Sequence, residues 1–145
     1  MTRPTFRTFS FLLLCLLLAG CAFYSSLTEP EKQRRAFELV TDHFTQRLRW
    51  QDYAAAAESV EAGLRQSFLD RFSKDTDLKI TDVRQEGLVL DETGIRAEGE
   101  LVIEYYRLPS LTVKTVRLPV VWRFFGADSE SPVGWKITNI QLELP

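Results

Sequence analysis

Cysteine and histidine are nearly absent from this chain of 145 residues: there are two cysteines, Cys15 and Cys21, and one histidine, His43. Cys15 falls within an apolar stretch near the amino terminus, so a chain processed after that stretch would keep Cys21 alone. That excludes a disulfide framework and a thiolate metal site, and a single histidine gives no basis for a transition-metal site. No cofactor is expected. Neither sign of charge dominates, with 18 Lys and Arg against 20 Asp and Glu. Without Arg3 and Arg7 the balance is 16 basic to 20 acidic residues, or −4. Such a chain has no general electrostatic case for binding nucleic acid. Internal repeats and low-complexity stretches are also missing. The longest apolar run, Phe11 to Leu18, falls short of the ~20 residues of a membrane-spanning helix even when extended to Phe9, Ala19 and Gly20.

The chain does begin with a basic segment, MTRPTFRTFS, followed by the run FLLLCLLL and then Leu18-Ala19-Gly20-Cys21. A basic start, a short apolar run and small residues at its end are the parts of a secretory signal peptide. The last four residues resemble the lipobox of bacterial lipoproteins. That resemblance implies a diacylglyceryl thioether on Cys21, cleavage between Gly20 and Cys21, and acylation of the new amino terminus. Residues 1–20 are then the signal peptide, and residues 21–28 the lipidated cysteine and a short tether. A single domain spans residues 29–145. One acyl chain anchors only marginally at ~0.8 kcal/mol per buried CH₂, whereas two or three on one residue hold firmly. Ala22 and Phe23 follow the cysteine, without the Asp that often marks inner-membrane retention. The expected location is therefore the outer membrane, facing the periplasm.

The first twenty residues removed, 125 remain, enough for one domain with a hydrophobic core. Thr28-Glu29-Pro30-Glu31 has the form of a capping box, and Pro30 suits a first helical turn. Phe37, Val40, Phe44 and Leu48 recur at spacings of three and four, which predicts a helix over roughly 29–49. Asp52 can cap a second helix through Tyr53 and four alanines. Leu64, Phe68, Leu69 and Phe72 mark a third. After Asp77 the period changes to two. Leu78, Ile80 and Val83 begin a strand, and Asp91-Glu92-Thr93-Gly94 reads as a hairpin turn. Ile95, Ala97, Gly99, Leu101, Ile103 and Tyr105 form the apolar face of a long strand whose other face is largely polar. Leu108-Pro109-Ser110 turns the chain. Thr112 to Phe125 is a further strand, with Val116, Leu118, Val120, Trp122 and Phe124 on one side. Trp135 to Leu144 closes the sheet. Helices followed by strands indicate an α+β fold, with amino-terminal helices packed on a curved antiparallel four-stranded meander.

This order resembles the nuclear-transport-factor-2-like superfamily, the cone-shaped fold shared with ketosteroid isomerase-like proteins. The features that carry the resemblance are the long first helix, the Trp50-Gln51-Asp52-Tyr53 step into an alanine-rich helix, and Leu64 to Phe72. Trp122 late in a long strand and the Gly134-Trp135-Lys136-Ile137 opening of the last strand also fit. The resemblance covers roughly residues 29–143 and rests on element order and aromatic placement. It implies a cone whose interior could hold a small molecule, and the superfamily includes both enzymes and binding domains.

The residues that could carry chemistry each have a plainer reading. His43 falls on the flank of the first helix, about 100° from its apolar stripe, and is expected at the surface. Asp52 could be an acid at the mouth of a cone, but an N-cap explains it better. Tyr53, Tyr105 and Trp122 could line a pocket and donate hydrogen bonds, or be core. Glu98, Glu100 and Glu104 share one strand face, where burial would be costly; they are expected to be solvated, or paired with Lys114, Arg117 or Arg123 across strands. Ser67, Ser73 and Ser110 have no base or oxyanion motif around them. No catalytic residue is assigned.

The leading reading is therefore a membrane-anchored cell-envelope lipoprotein acting as a non-enzymatic ligand-binding or protein-interaction module. Its partners would be the membrane through Cys21 and either an apolar small molecule or an envelope protein. The alternative is a small-molecule isomerase, dehydratase or hydrolase with its site in the cone, using Asp52, Tyr53 or Tyr105. A cone filled by Trp50, Phe68, Trp122 and Phe124 would exclude that alternative. A third reading is a homodimer formed through the sheet face.

Overall fold

In a computed structural model, the described residues are 29–129 and 131–141. The expected cleavage site, Cys21 and the tether, and Leu144 at the end of the predicted last strand, lie outside them. The chain divides into two units, residues 1–32 and 33–145. Of the first, the described part is helical. The second contains the packed core described below.

Three helices precede a four-stranded antiparallel sheet, the predicted α+β arrangement. Helix α1 spans Glu29–Arg49, α2 Tyr53–Ala57 and α3 Ala62–Ser73. The stripe on α1 is buried at Phe37, Phe44 and Leu48, and Val40 packs against the same core. The helix ends because Gln51 turns to a positive φ of 59°. Gln51 N–H then donates to Leu48 O and Asp52 N–H to Arg47 O, at 3.0 and 2.9 Å. That pair of bonds is a Schellman ending, which satisfies carbonyls that a helix terminus would leave unbonded. The next residue but one starts α2, and Asp52 Oδ1 accepts from Ala55 N–H at 3.2 Å. Asp52 is thus an N-cap, the plainer of its two readings. Ala56 and Ala57 are buried, and their small side chains let α2 approach the core closely. Arg65 fixes the next junction, donating to Ala57 O and Val60 O at 3.0 and 3.2 Å.

The strands are β1 Leu78–Leu90, β2 Arg96–Arg107, β3 Lys114–Phe125 and β4 Gly134–Ile140, in sequence order across the sheet. Ile95, placed by alternation on the buried face of β2, precedes the strand and is exposed. Strand β1 runs well beyond Val83. Its alternation is broken by two bulges, one between Ile80 and Asp82 and one between Glu86 and Val89. Each inserts an extra residue that resets which side chains face inward and increases the local bend. Gly87, with φ +63°, supplies the left-handed backbone of the second bulge.

One face of the sheet packs on the helices. Leu78, Ile80 and Val83 of β1, Ala97, Leu101, Ile103 and Tyr105 of β2, and Leu118, Val120 and Trp122 of β3 join Phe37, Phe44, Phe68 and Phe72 in one core. Strand β4 adds Trp135, Ile137 and Ile140. Its far edge is partly covered, since Ile137 N–H donates to Ser59 O and Glu61 N–H to Ile137 O. Strand β1 forms the opposite edge of the sheet.

Candidate functional site

The three candidates for a pocket lining occupy separate places in the core. Trp122 is wholly buried, with ring centroids 5.6 Å from Phe44 and 5.9 Å from Phe37, both edge-on. Its indole N–H donates to Gln85 Oε1 at 3.0 Å. Tyr53 is half-buried and stacked on Phe72 at 5.6 Å. Burial, and secondarily the charge of Asp75, pushes its phenol pKa up, which keeps the hydroxyl neutral. Tyr105 is buried with the Arg107 guanidinium 5.5 Å from its ring centre. Each is explained by its packing, and none lines the surface grooves described below.

The space between helices and sheet at Trp122 is filled by aromatic rings. Phe37 also packs on Trp135 at 4.5 Å, and Phe44 on Phe68 at 6.0 Å. Phe68 and Trp122 are buried as a filled cone requires, and Phe124 is half-buried against Trp135. Trp50 has a different place, with 76% of its surface exposed. Phe37 and Phe44 of α1 do the filling instead. Gln85 is the polar residue of this interior that periodicity did not single out. Its Nε2 is buried without a hydrogen-bond partner while its Oε1 holds the indole.

The remaining candidates lie at the surface. His43 is exposed on α1, as its angular position predicts. Ser67, Ser73 and Ser110 are exposed. Among the described residues, no group of three or more His, Cys, Asp or Glu side chains is placed to hold a metal ion. No helix among them is long and apolar enough to cross a membrane.

The outer face of the sheet carries an ordered lattice of charge. Register places Asp82 beside Glu104, Arg84 and Arg117 on either side of Val102, and Glu86 opposite Glu100. Arg84 binds Asp82, Glu86 and Glu104 at 3.1, 2.8 and 2.8 Å. Arg117 binds Glu86 and Glu100 at 2.6 and 3.1 Å, bridging two carboxylates that would otherwise repel across strands. The hydrogen bond from Arg117, then that from Arg84, holds the Glu86 carboxyl below its usual pKa. Both guanidinium pKa values are raised in turn, first by Glu86. Glu100 thus pairs with Arg117 as predicted. Glu104 turns to Arg84, and Glu98 to Arg96 on its own strand. Val102, which stands between Arg84 and Arg117 on the face away from the core, is wholly buried, as long charged side chains with apolar stems allow.

Two of the grooves formed by the described residues have room for a ligand. One, of about 490 Å³, lies on the outer sheet face near the β1–β2 turn, between Arg96, Arg123, Ile95, Val121 and Asn139. The other, of about 520 Å³, runs between the carboxyl-terminal half of α1 and β1, lined by Thr45, Gln46, Arg49, Trp50 and Val83. Asp91, Thr93 and Thr138 complete the lining of the first groove, and Asp42 that of the second.

No protein-family model matches the chain, and no curated protein matches it. Among solved structures it is similar to the solution structure of a SEC-C motif containing protein from Rhodopseudomonas palustris. The two are 10% identical, the match covers 66% of this chain and 70% of that one, and the TM-score is 0.49.

Proposed function

We propose that this chain is a lipid-anchored protein of the cell envelope whose folded domain is a non-enzymatic interaction module working through its surface. The observation that carries this reading is the aromatic filling at Trp122. Where a ligand chamber would have to open between helices and sheet, Phe37, Phe44 and Phe68 are packed together with Trp122. The outer sheet face with its groove at Arg96 and Arg123, and the separate groove between α1 and β1, are what the domain presents to a partner. The reading includes the nuclear-transport-factor-2-like resemblance, which three helices followed by an antiparallel meander support.

The anchor is tested by metabolic labelling with a fatty-acid probe in a bacterial host. The wild-type chain is expected to take up label and to fractionate with the outer membrane. Cys21→Ser is expected to lose the label completely, because no other residue of the lipobox carries a thiol. Label that persisted in the variant would overturn the lipoprotein reading. The interaction role is tested by cross-linking in intact cells followed by native mass spectrometry. A specific partner lost on replacing Arg117 or Trp50 supports it; absence of any partner or bound small molecule counts against it.

A further inference from the structure

The arginines of the outer sheet face differ in how fully they are neutralised. Arg84 binds three carboxylates and Arg117 two. Arg96 binds one, Glu98. Arg123 forms no ion pair among the described residues, and its guanidinium lies 5.7 Å from the ring centre of Phe125. Yet Arg96 and Arg123 are direct cross-strand partners, and Lys136 stands on the far side of Arg123 in the same row. Like charges directly opposite one another across strands are destabilising. Elsewhere on this face such a conflict is relieved by an oppositely charged side chain, as Arg117 relieves Glu86 and Glu100. Among the described residues no carboxylate bridges Arg96 and Arg123, and a groove opens there instead.

Lys136 does not fill that groove. Its ammonium donates to Glu58 O at 2.7 Å, on the side of the sheet edge where Arg65 lies. Burial, and then the nearby charge of Arg65, lowers its pKa. Asp91 does line the groove, but its oxygens accept from the Thr93 hydroxyl at 2.8 Å and from Ile95 N–H and Arg96 N–H at 3.3 Å. These neutral donors tie the ionised carboxylate to the β1–β2 turn, where it stands as one negative charge beside the two guanidinium groups. Asn139 adds a side-chain amide, and Ile95 and Val121 an apolar wall.

We propose that this groove binds a phosphate group, which Arg123 and Arg96 grip from adjacent strands with the help of Asn139. Guanidinium groups match the planar pairs of oxygens on such a group and hold it by two parallel hydrogen bonds. A tetrahedral phosphate offers separate oxygens to two guanidinium groups that approach from neighbouring strands. The source is either a soluble phosphate compound or the headgroup of a phospholipid, and the apolar wall beside the arginines suits the second. The inference stands on the groove alone and holds whether or not Cys21 is lipidated.

The test uses the full chain in a non-ionic detergent, titrated separately with inorganic phosphate and with a short-chain phosphatidylglycerol, followed by NMR shifts of the Arg96, Arg123 and Asn139 side chains. At least one probe is expected to move these signals saturably, with an affinity that falls as sodium chloride is raised. Stronger binding of inorganic phosphate identifies a soluble ligand, and stronger binding of the phosphodiester identifies a headgroup. Arg123→Gln is expected to weaken binding at least tenfold. Because Arg123 is exposed, the variant should keep the wild-type melting temperature. Asn139→Ala, at a second exposed position, should weaken it less. The proposal is overturned if neither probe shifts these signals, or if Arg123→Gln folds normally and binds as the wild type does.

Discussion

Replacing Trp122 by alanine is expected to cost about 3–5 kcal/mol of folding stability, the usual range for deleting a buried large aromatic side chain. Against a total of roughly 5–15 kcal/mol for a domain of this kind, that leaves a chain close to unfolding. The reasons are additive at this position. Trp122 is wholly buried, and its ring contacts reach Phe37 and Phe44 on α1, so it joins the sheet to the longest helix. Its removal also takes the donor from Gln85 Oε1, in a side chain whose Nε2 is already buried without a partner. A buried polar group left unpaired costs about 1–3 kcal/mol. Trp122→Phe should therefore cost less than alanine but more than its lost volume suggests, because it too strands the amide. Pairing it with Gln85→Leu should recover part of the loss. Trp50→Ala is the control: its side chain is 76% exposed and the change should stay within about 0.5 kcal/mol. Urea unfolding of the variants measures all of these. A loss below 1 kcal/mol for Trp122→Ala would mean that the interior is not closed around this ring.

Much of this core is legible in the sequence because its signals are local. The α1 stripe needs only the 3.6-residue period, and Asp52 needs only its place before an alanine run. The alternation on β2 and β3 marks Leu101, Ile103, Tyr105, Leu118, Val120 and Trp122 as inward, and all are buried. What is not legible depends on register. The two bulges of β1 break the period of two, so the sequence from Thr81 to Leu90 does not announce itself as strand. Gln85 looks like one more polar residue until the sheet brings it to Trp122, 37 positions away. Val102 occupies a position that alternation assigns to the polar face. It is buried all the same, and register sets Arg84 and Arg117 on either side of it.

The candidate groove was hidden for the same reason. Arg96 and Arg123 are 27 positions apart, and nothing local makes them neighbours. Alternation places Arg123 on the strand face that opposes the acids of β2, as one of three basic residues that could pair with them. The structure gives that work to Arg84, Arg96 and Arg117. Arg123 stays without an ion pair among the described residues, and this departure from simple charge pairing is what draws attention to the site.

Gly99→Val is expected to destabilise the domain by about 1–3 kcal/mol, the range for forcing extra atoms into a packed position. Strand propensity alone predicts the opposite sign, since valine is favoured and glycine depleted in strands. The geometry decides between them. A Cβ on Gly99 would lie 2.9 Å from Glu86 O and 2.9 and 3.1 Å from Leu88 Cδ2 and Cα. Two of these three atoms belong to backbone, so a side-chain rotation cannot clear the space. These atoms are there because β1 bulges between Glu86 and Val89, placing Gly87 and Leu88 against the single residue Gly99. The missing side chain on β2 is thus the complement of the extra residue on β1. Gly99→Val must push the bulge outward or slip the register. A slip of one residue would turn Arg84 and Glu86 off the lattice face. The stability loss should therefore come with faster amide hydrogen exchange from Glu86 to Val89, while exchange in α1 changes only with global stability. Gly99→Ala should show the same pattern more weakly. A valine variant as stable as the wild type, with unchanged exchange at the bulge, would show that β1 does not pack against Gly99 in this register.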